Sequence, residues 1–309
     1  MTTCCFTGVA SPPLYVILPY FNFCGFKKRR QLFLEFVKRY SCSAAKLVVV
    51  EALGPAPLGH VCGVHKHIRV RPDSHVWLKE NLINLGARAL PEDWKYMAWV
   101  DADIKFLNRR WIQATIEELR EADMVQMWRS AINLGPEGEV IKTDKSFAYM
   151  SVGSGTAWSP TDKYGFWHPG YAWACTREAY QKMDGLIDWA ILGSGDRHMA
   201  MALAGMAVQS APQNIHANYK TLLKLHEKKV KSFKVSWVDG TIVHYWHGSL
   251  ENRRYKERWE ILTRNNFNPM EDVEFTDDGL MRLTPSGRRL EKLLDDYFIG
   301  RKEDGDSTE

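Results

Sequence analysis

The sequence predicts an α/β fold, in which a mixed, mostly parallel β-sheet is flanked by helices and followed by a C-terminal helical extension. Short apolar runs alternate with amphipathic segments as far as Trp128, a pattern typical of a parallel sheet covered by helices. The run at 95–100 has the length of a buried strand and ends abruptly in two carboxylates. With 309 residues, 45% of them hydrophobic, the chain can bury one large core.

Apolar runs bounded by turn signals predict strands at 14–18, 47–50, 66–70, 95–100, 124–128 and 241–248, with a loop at 19–25 after the first. Apolar residues at helical spacing predict helices at 26–40, at 74–86 with Ser74 as N-cap, from Asn108 to Leu119, before Met183, and at 193–204, 219–231, 250–262 and 286–298. Lys27 to Arg30 lie in the first turns of their helix, where they oppose its dipole and are explained either by an anionic neighbour or by solvent.

Two segments lack such periodicity. Residues 129–166 are rich in Gly, Ser, Thr and Asp and predict a long loop, which in a compact domain is usually functional or disordered. The polar, acid-rich tail from Gly300 predicts a frayed end. We expect one main domain over 1–250 and a helical extension, packed on it, over 251–309.

Composition narrows the class of protein. The net charge of +4 and the pI near 8.6 are compatible with phosphorylated ligands but do not by themselves indicate nucleic-acid binding. The six cysteines show neither Cys-X-X-Cys nor zinc-finger spacing, which favours a reduced, intracellular protein. No apolar run approaches the ~18 residues of a membrane helix, and the N-terminus has no signal-peptide pattern. A cytoplasmic protein without a membrane span is expected.

Asp101-Ala102-Asp103 is the stretch from which a function can be argued. In an open α/β sheet, ligands bind outside the carboxyl ends of the strands, and these carboxylates follow the predicted strand at 95–100. Two carboxylates can hold a hard divalent cation whose coordination a diphosphate completes. An isolated Asp-X-Asp is more often a solvated turn, so the other motifs must decide.

Three further groups carry chemistry. Asp196 opens a predicted helix, where it is either an N-cap or a general base that takes a proton from a hydroxyl. His247 is a candidate third metal ligand, and His244, three residues earlier on a strand, is expected to face away from the site. Arg253, Arg254 and Arg258 form either a solvated face or a diphosphate clamp.

Taken in order, these motifs resemble GT-A glycosyltransferases of the family 2 group, over roughly 14–298. The chain is similar to bacterial and phage members that carry Trp-X-Lys-Glu-Asn-Leu-Ile-Asn, Asp-Trp-Lys-Tyr, Trp-X-Asp-Ala-Asp and His-Tyr-Trp-His-Gly, as at 77–84, 93–96, 99–103 and 244–248. The resemblance implies a GT-A, Rossmann-like fold, the nucleotide base at Glu51, ribose and metal at Asp101 and Asp103, and Asp196 as the base of an inverting reaction. Gly195 departs from the family pattern, which has Glu there.

The expected site follows from the motifs and the resemblance together. The catalytic residue is Asp196, and the cofactor is Mn²⁺ or Mg²⁺, held by Asp101, Asp103 and His247. The nucleoside diphosphate sugar is expected to contact Asn22, Glu51, Lys79, Asn84, Asp101, Ala102, Arg253 and Arg254. The acceptor is expected to contact His168, Gly170, Tyr171 and Trp173, although a core role for Trp173 is equally compatible with its sequence.

The expected reaction is transfer of a sugar from a nucleoside diphosphate sugar to the hydroxyl of a glycan or another acceptor. The resemblance to phage members adds an alternative acceptor, a 5-hydroxymethylated pyrimidine in DNA, which would have to be made accessible, for instance by base flipping. A phosphohydrolase that uses the same carboxylates and an inactive nucleotide-sugar-binding protein are the remaining alternatives. The presence of the metal-binding residues weighs against the inactive protein.

Overall fold

The computed structural model describes residues 12–153 and 167–305. Its strands are β1 (Leu14–Phe21), β2 (Lys46–Ala52), β3 (Lys66–Val70), β4 (Tyr96–Val100), β5 (Ile104–Phe106), β6 (Met124–Gln126), β7 (Ser130–Leu134), β8 (Val140–Lys145), β9 (Ala172–Thr176), β10 (Val235–Trp237), β11 (Thr241–His244), β12 (Val273–Phe275) and β13 (Met281–Leu283). Its α-helices are α1 (Lys27–Tyr40), α2 (Lys79–Arg88), α3 (Trp111–Glu118), α4 (Arg177–Met183), α5 (Gly195–Leu203), α6 (Ala217–Val230), α7 (Arg258–Arg264) and α8 (Glu291–Ile299).

The main sheet has seven strands in the order β10-β6-β9-β4-β1-β2-β3. All neighbouring pairs are parallel except those of β9, which runs antiparallel to both β4 and β6. The predicted mixed, mostly parallel sheet is therefore confirmed. Because β4 is the middle strand, Asp101 to Asp103 lie at the carboxyl end of the centre of the sheet, as the sequence predicts.

Side chains of β1 alternate between the two faces of this sheet and enter two separate hydrophobic clusters. Tyr15 and Ile17 join one cluster, and Leu14 and Val16 join the other. Helix α2 lies close against β1, because a Cβ at Gly86 would come within 2.7 Å of Ile17. This contact packs the C-terminal turn of α2, the helix that begins with Lys79, directly against β1.

A second sheet, in the order β5-β11-β7-β8, lies beyond the carboxyl end of β4. It contradicts the predicted loop over 129–166, because 130–134 and 140–145 pair as antiparallel strands and Tyr149–Gly153 forms a short π-helix. The exposed edge strand β8 is polar, so it lacks the apolar run that marks a buried strand. Residues 154–166, the rest of the predicted loop, lie outside the described part of the chain.

Three predicted helices differ from the structure. The helix predicted from Ser74 begins only at Lys79, and the Ser74 hydroxyl instead accepts a hydrogen bond from the backbone N–H of Leu283. The helix predicted at 250–262 is a 3₁₀ turn followed by α7, since Arg254 between them has a left-handed backbone (φ +44°). The helix predicted at 286–298 begins as a 3₁₀ turn at Gly287–Leu290 and continues as α8.

The two ends of the chain's described part also correct the sequence prediction. Strand β1 continues through Phe21, into the segment for which the sequence predicts a loop. The tail after Gly300 is packed rather than frayed as far as the structure describes it, since Arg301 and Glu303 are buried. Among the described helices, none combines the length and apolar composition needed to span a bilayer.

Candidate active site

Asp103, His244 and His247 form a cluster beyond the end of β4, with one ligand atom from each within 4.8 Å of the others. Oδ2 of Asp103 lies 2.8 Å from Nε2 of His247 and 3.8 Å from Nε2 of His244. Both imidazoles are buried, and the Asp103 side chain is 22% exposed. The cluster therefore presents one carboxylate and two imidazoles at a partly open position.

The expectation that only one of the two histidines reaches the site is wrong. Strand β11 ends at His244, so the alternation of faces that would separate the two side chains does not continue to His247. The backbone N–H of Tyr245 donates to the carbonyl oxygen of Asp103 at 2.8 Å, which holds this turn against the Asp-Ala-Asp segment. The turn thus brings both imidazoles to Asp103.

The protonation of this cluster suits a cation. Burial opposes ionisation of Asp103, but His244, His247 and Arg253 outweigh burial and hold the pKa of Asp103 well below its usual value. Burial lowers the pKa of His244 to about 3, so its imidazole is neutral at pH 7. An ionised carboxylate and a neutral imidazole are the forms that bind metals.

The hydrogen bonds of the cluster leave atoms that a divalent cation can satisfy. Oδ1 of Asp103 is buried and has no hydrogen-bond partner among the residues that the structure describes. Nε2 of His247 lies 2.8 Å from the Asp103 carboxylate and 2.9 Å from Nη2 of Arg253, although one nitrogen cannot donate to the first and accept from the second at once. Oxygen with imidazole nitrogen is a donor set that suits Mn²⁺, so the residues fit a metal of this type.

Lys79 connects the other two acidic residues of the site. Its Nζ lies 2.7 Å from Oδ1 of Asp101 and 2.9 Å from Oδ2 of Asp196. Burial favours the neutral amine, but Asp101 and Asp196 outweigh burial and raise the pKa of Lys79 far above its usual value. Burial also raises the pKa of Asp101 to about 6, with Asp196 and Asp103 adding to this effect and Lys79 opposing it. Three residues that are distant in sequence therefore form one ion-paired group.

A second carboxyl group accompanies Asp196. A Cβ at Gly195 would overlap the carboxylate of Glu80, which follows Lys79 on α2. Gly195, at a position where the resembling family has Glu, therefore has no side chain, and the space beside it is occupied by the carboxyl group of Glu80 from α2. Burial, with the charge of Asp196 adding to it, raises the pKa of Glu80 to about 8, so this group is mainly protonated at pH 7.

The aromatic segment 167–173 contacts Asp196 through its backbone. A Cβ at Gly170 would lie 3.1 Å from Oδ2 of Asp196, so the chain passes directly beside this carboxylate. His168 stacks on Tyr171, with ring centroids 4.0 Å apart, and the Tyr171 hydroxyl donates to Asn133. Three of the predicted acceptor residues, His168, Gly170 and Tyr171, thus lie together near Asp196.

Trp173 does not belong to this group. It is 0% exposed, and its indole N–H donates to the carbonyl oxygen of Pro169 at 2.7 Å. A side chain with no accessible face cannot stack on an acceptor. The core role of Trp173, which its sequence also allowed, is the one the structure supports.

Three residues that are predicted to contact the nucleoside diphosphate sugar have side chains that bond to other residues of the protein. Glu51 is fully buried and accepts from the backbone N–H of Leu58 while pairing with His67 and Arg69. Asn22 closes the turn after β1 by bonding to both backbone groups of Phe26.

Asn84 holds the segment after α4, since its amide bonds to Leu186, Asp188 and Tyr180. Binding of the nucleoside diphosphate sugar to the side chains of Asn22, Glu51 and Asn84 would have to replace these hydrogen bonds. The predicted contacts remain predictions.

The two neighbouring arginines have different surroundings. Arg253 is half-buried, donates to His247 and lies 3.2 Å from the Tyr255 hydroxyl, while its Nε has no hydrogen-bond partner within the described part of the chain. Arg254 is exposed. Ala102, between the two aspartates, is half-buried. Of the predicted clamp, Arg253 is the residue that reaches the metal-binding cluster.

Two site residues, Glu80 and Glu303, have no motif that predicts them from the sequence, and His244 lies in the site rather than facing away from it. Glu303 is 2% exposed, and its Oε2 lies 3.7 Å from Nδ1 of His247. The acid-rich composition of the tail predicts an exposed, frayed end, so it gives no indication that Glu303 is buried. The signal for Glu80 was the glycine at 195, because a missing side chain beside a candidate base leaves room for a group from elsewhere.

Comparisons with known proteins return solved structures only. No protein-family model and no curated protein matches the sequence. Similar structures include a mannosyltransferase from Pyrobaculum calidifontis in complex with GDP-mannose and Mn²⁺, at 13% identity and a TM-score of 0.47, covering 94% of this chain and 70% of that one.

Two further similar structures are a galactosyltransferase and a glucosyl-3-phosphoglycerate synthase. The catalytic domain of Drosophila β1,4-galactosyltransferase 7 with xylobiose is 13% identical, with a TM-score of 0.40, covering 92% of this chain and 99% of that one. Glucosyl-3-phosphoglycerate synthase from Mycobacterium tuberculosis, with Mn²⁺, UDP and glucosyl-3-phosphoglycerate, is 10% identical, with a TM-score of 0.41, covering 89% of this chain and 88% of that one.

Proposed function

We propose that this protein is a metal-dependent glycosyltransferase of the GT-A type that moves a sugar from a nucleoside diphosphate sugar to an acceptor hydroxyl. The observation that carries the proposal is the pairing of two groups at the carboxyl end of β4. One is the cluster of Asp103, His244 and His247, and the other is the ion-paired group of Asp101, Lys79 and Asp196. The first group can hold a metal ion, and the carboxylate of Asp196 at the start of α5 can accept a proton from a hydroxyl. Together they supply the two functions that transfer of a sugar to a hydroxyl needs.

The donor side of the site is assigned to the first group. Asp103, His244 and His247 would hold Mn²⁺ or Mg²⁺, and Asp101 would bind ribose or the metal from the neighbouring position. Bound there, the cation neutralises the charge that develops on the departing diphosphate. Lys79 and Arg253 are the cationic side chains beside these residues, and they suit the diphosphate oxygens.

Arg253 must change partner when the site is loaded. Its Nη2 lies 2.9 Å from Nε2 of His247, the nitrogen that also faces Asp103. If His247 holds the metal through this nitrogen, Arg253 would lose that acceptor and its guanidinium would be available to an anionic donor. Metal binding and diphosphate binding would then be coupled through Arg253.

The acceptor side is assigned to Asp196. Its partly exposed carboxylate adjoins the backbone at Gly170, so it can accept a proton from a hydroxyl that enters beside His168 and Tyr171. Attack by this hydroxyl on the face opposite the diphosphate inverts the anomeric carbon. The identity of the hydroxyl, in a glycan or in a hydroxymethylated pyrimidine of DNA, is the finer part of the proposal.

A matrix of donors and acceptors analysed by mass spectrometry tests the function. Nucleoside diphosphate sugars are incubated with glycan acceptors or with duplex DNA containing 5-hydroxymethylpyrimidines, in Mn²⁺ or in excess chelator. Mn²⁺-dependent addition of one hexose mass to an acceptor, absent with Asp103→Asn, is the expected result. Release of sugar phosphate or nucleotide without any transfer would instead indicate a phosphohydrolase, and activity in excess chelator would contradict the metal role.

A further inference from the structure

The C-terminal segment 301–305 returns from α8 and packs against the turn that carries His247. Gly248 has a left-handed backbone (φ +87°), and a Cβ there would lie 2.9 Å from the carbonyl oxygen of Lys302 and 3.0 Å from Cα of Glu303. The guanidinium of Arg301 lies over the Trp77 ring, 5.3 Å from its centroid. The end of the described chain is thus built into the wall of the site.

Asp304 attaches this segment to α1. Its carboxylate accepts hydrogen bonds from the backbone N–H groups of Lys27 and Lys28, at 3.0 and 2.6 Å. Helix α1 has no acidic residue in its first turn and no side-chain cap of its own, so Asp304 supplies the missing anion to its N-terminus. The negative charge of Asp304 offsets the unfavourable interaction of Lys27 to Arg30 with the dipole of α1, which the sequence indicates.

Glu303 points into the protein between two arginines and a histidine. Its carboxylate lies 2.7 Å from Nε of Arg29 and 2.7 Å from Nε of Arg301, and its Oε2 is 3.7 Å from Nδ1 of His247. The two arginines fix the carboxylate, since the Nε of each holds one of its oxygens. The carboxylate is therefore a fixed negative charge on the side of the imidazole that faces away from Asp103.

We propose that Glu303 is a positioning residue for the metal site: it keeps the proton of His247 on Nδ1, so that the lone pair of Nε2 is directed at the cation beside Asp103. The inference rests on the proposed function, because it assigns a role within the same metal site. A metal-binding imidazole usually has its other nitrogen near a carboxylate or carbonyl, and loss of that partner typically costs 10–100-fold in metal affinity. The C-terminal segment is then part of the active site rather than an appendage.

Mn²⁺ affinity, measured by calorimetry without donor or acceptor, tests this role. Glu303→Gln keeps the size of the side chain and removes its charge, and it is expected to weaken Mn²⁺ binding about 10–100-fold. Asp304→Ala is the matched control, because it removes the hydrogen bonds of the same segment to the start of α1 while Arg29 and Arg301 still hold Glu303, and it is expected to leave the affinity within about 2-fold. A folded Glu303→Gln protein with unchanged affinity, or an equal loss in both variants, would overturn the inference.

The tautomer of His247 provides a second measurement that needs no variant. In wild-type protein carrying ¹⁵N-labelled histidine, the imidazole shifts of His247 are expected to report a proton on Nδ1 when Mg²⁺ is bound, and a proton on Nε2 would contradict the inference. Wild-type protein that binds neither Mn²⁺ nor Mg²⁺ would remove the proposed function itself. Normal wild-type binding that is indifferent to Glu303 would remove only its positioning role.

Discussion

Asp101 and Asp103 are two positions apart, yet replacing each by Asn is expected to change the stability of the metal-free protein in opposite directions. Burial raises the pKa of Asp101 from 3.8 to about 6, so the folded state holds its charge at a cost. Asp103 has a lowered pKa, because the neighbouring imidazoles and Arg253 outweigh its burial. One carboxylate of the motif therefore opposes folding at neutral pH, and the other supports it.

The magnitude follows from the pKa values. A tenfold change in an acid dissociation constant corresponds to about 1.36 kcal/mol, so ionised Asp101 costs up to about 3 kcal/mol at pH 7. Because the folded-state pKa lies above the unfolded value, this cost is complete above about pH 6 and fades toward pH 3.8, falling to about 1 kcal/mol near pH 4.5. For Asp103 the stabilisation is present above pH 3.8 and is lost only as the pH falls through its lower folded-state pKa.

Urea unfolding in excess chelator, followed by circular dichroism at pH 7 and pH 4.5, measures both effects. Asp101→Asn is expected to raise the free energy of unfolding at pH 7 by about 1–3 kcal/mol, since Asn still offers Lys79 an oxygen, and to lose most of this gain at pH 4.5. Asp103→Asn is expected to lower it at pH 7 by about 1–3 kcal/mol, because the hydrogen bond of the His247 imidazole to a charged carboxylate is replaced by one to a neutral amide. Destabilisation by Asp101→Asn at pH 7, or an equal gain at both pH values, would refute the reasoning.

Asp196→Asn is expected to reduce kcat by at least ~10²-fold while donor affinity, measured by calorimetry, stays nearly unchanged, because a general base acts in the transition state; near-normal transfer would make Asp196 only a helix-start residue. Gly195→Ala is expected to destabilise the protein by about 1–3 kcal/mol through overlap with Glu80. Adding Glu80→Ala should recover much of that loss in a double-mutant cycle, and strict additivity would contradict the close contact. Trp173→Phe is expected to cost about 1–3 kcal/mol of stability and leave the acceptor KM unchanged; a raised KM without loss of stability would return Trp173 to the acceptor site.

Five strands of the main sheet, β1 to β4 and β6, were predictable because they have clear local signals, whereas β9 and β10 were not predicted. β1, β2 and β4 are short apolar runs between turn signals, and β4 ends in the carboxylates that define the site. Strands β7 and β8 were not predictable in this way, since β8 is a polar edge strand whose pairing depends on β7 rather than on its own composition. Helix α7 begins later than predicted because the left-handed backbone at Arg254 interrupts the segment, and periodicity does not report such a turn.

The site residues at the ends of strands and helices could be predicted from the sequence. Those that reach the site from other parts of the chain could not. Asp103, His247 and Asp196 could be found from motifs, because their residue types and positions have a local reason. Glu80 reaches Asp196 through the space at Gly195, and Glu303 reaches His247 because the C-terminal segment packs against the turn at Gly248. Such contacts depend on three-dimensional proximity, which periodicity and spacing do not report.

The most direct test of the account is the position of Mn²⁺ in crystals of this protein soaked with MnCl₂ and a nucleoside diphosphate. Anomalous diffraction near the manganese edge is expected to show one strong peak bonded to Asp103, His244 and His247, with the diphosphate on its open side and the guanidinium of Arg253 turned away from Nε2 of His247. The same soak of Asp103→Asn crystals should lack the peak. A manganese ion bound elsewhere, or a wild-type site that stays empty at saturating Mn²⁺, would contradict the central claim.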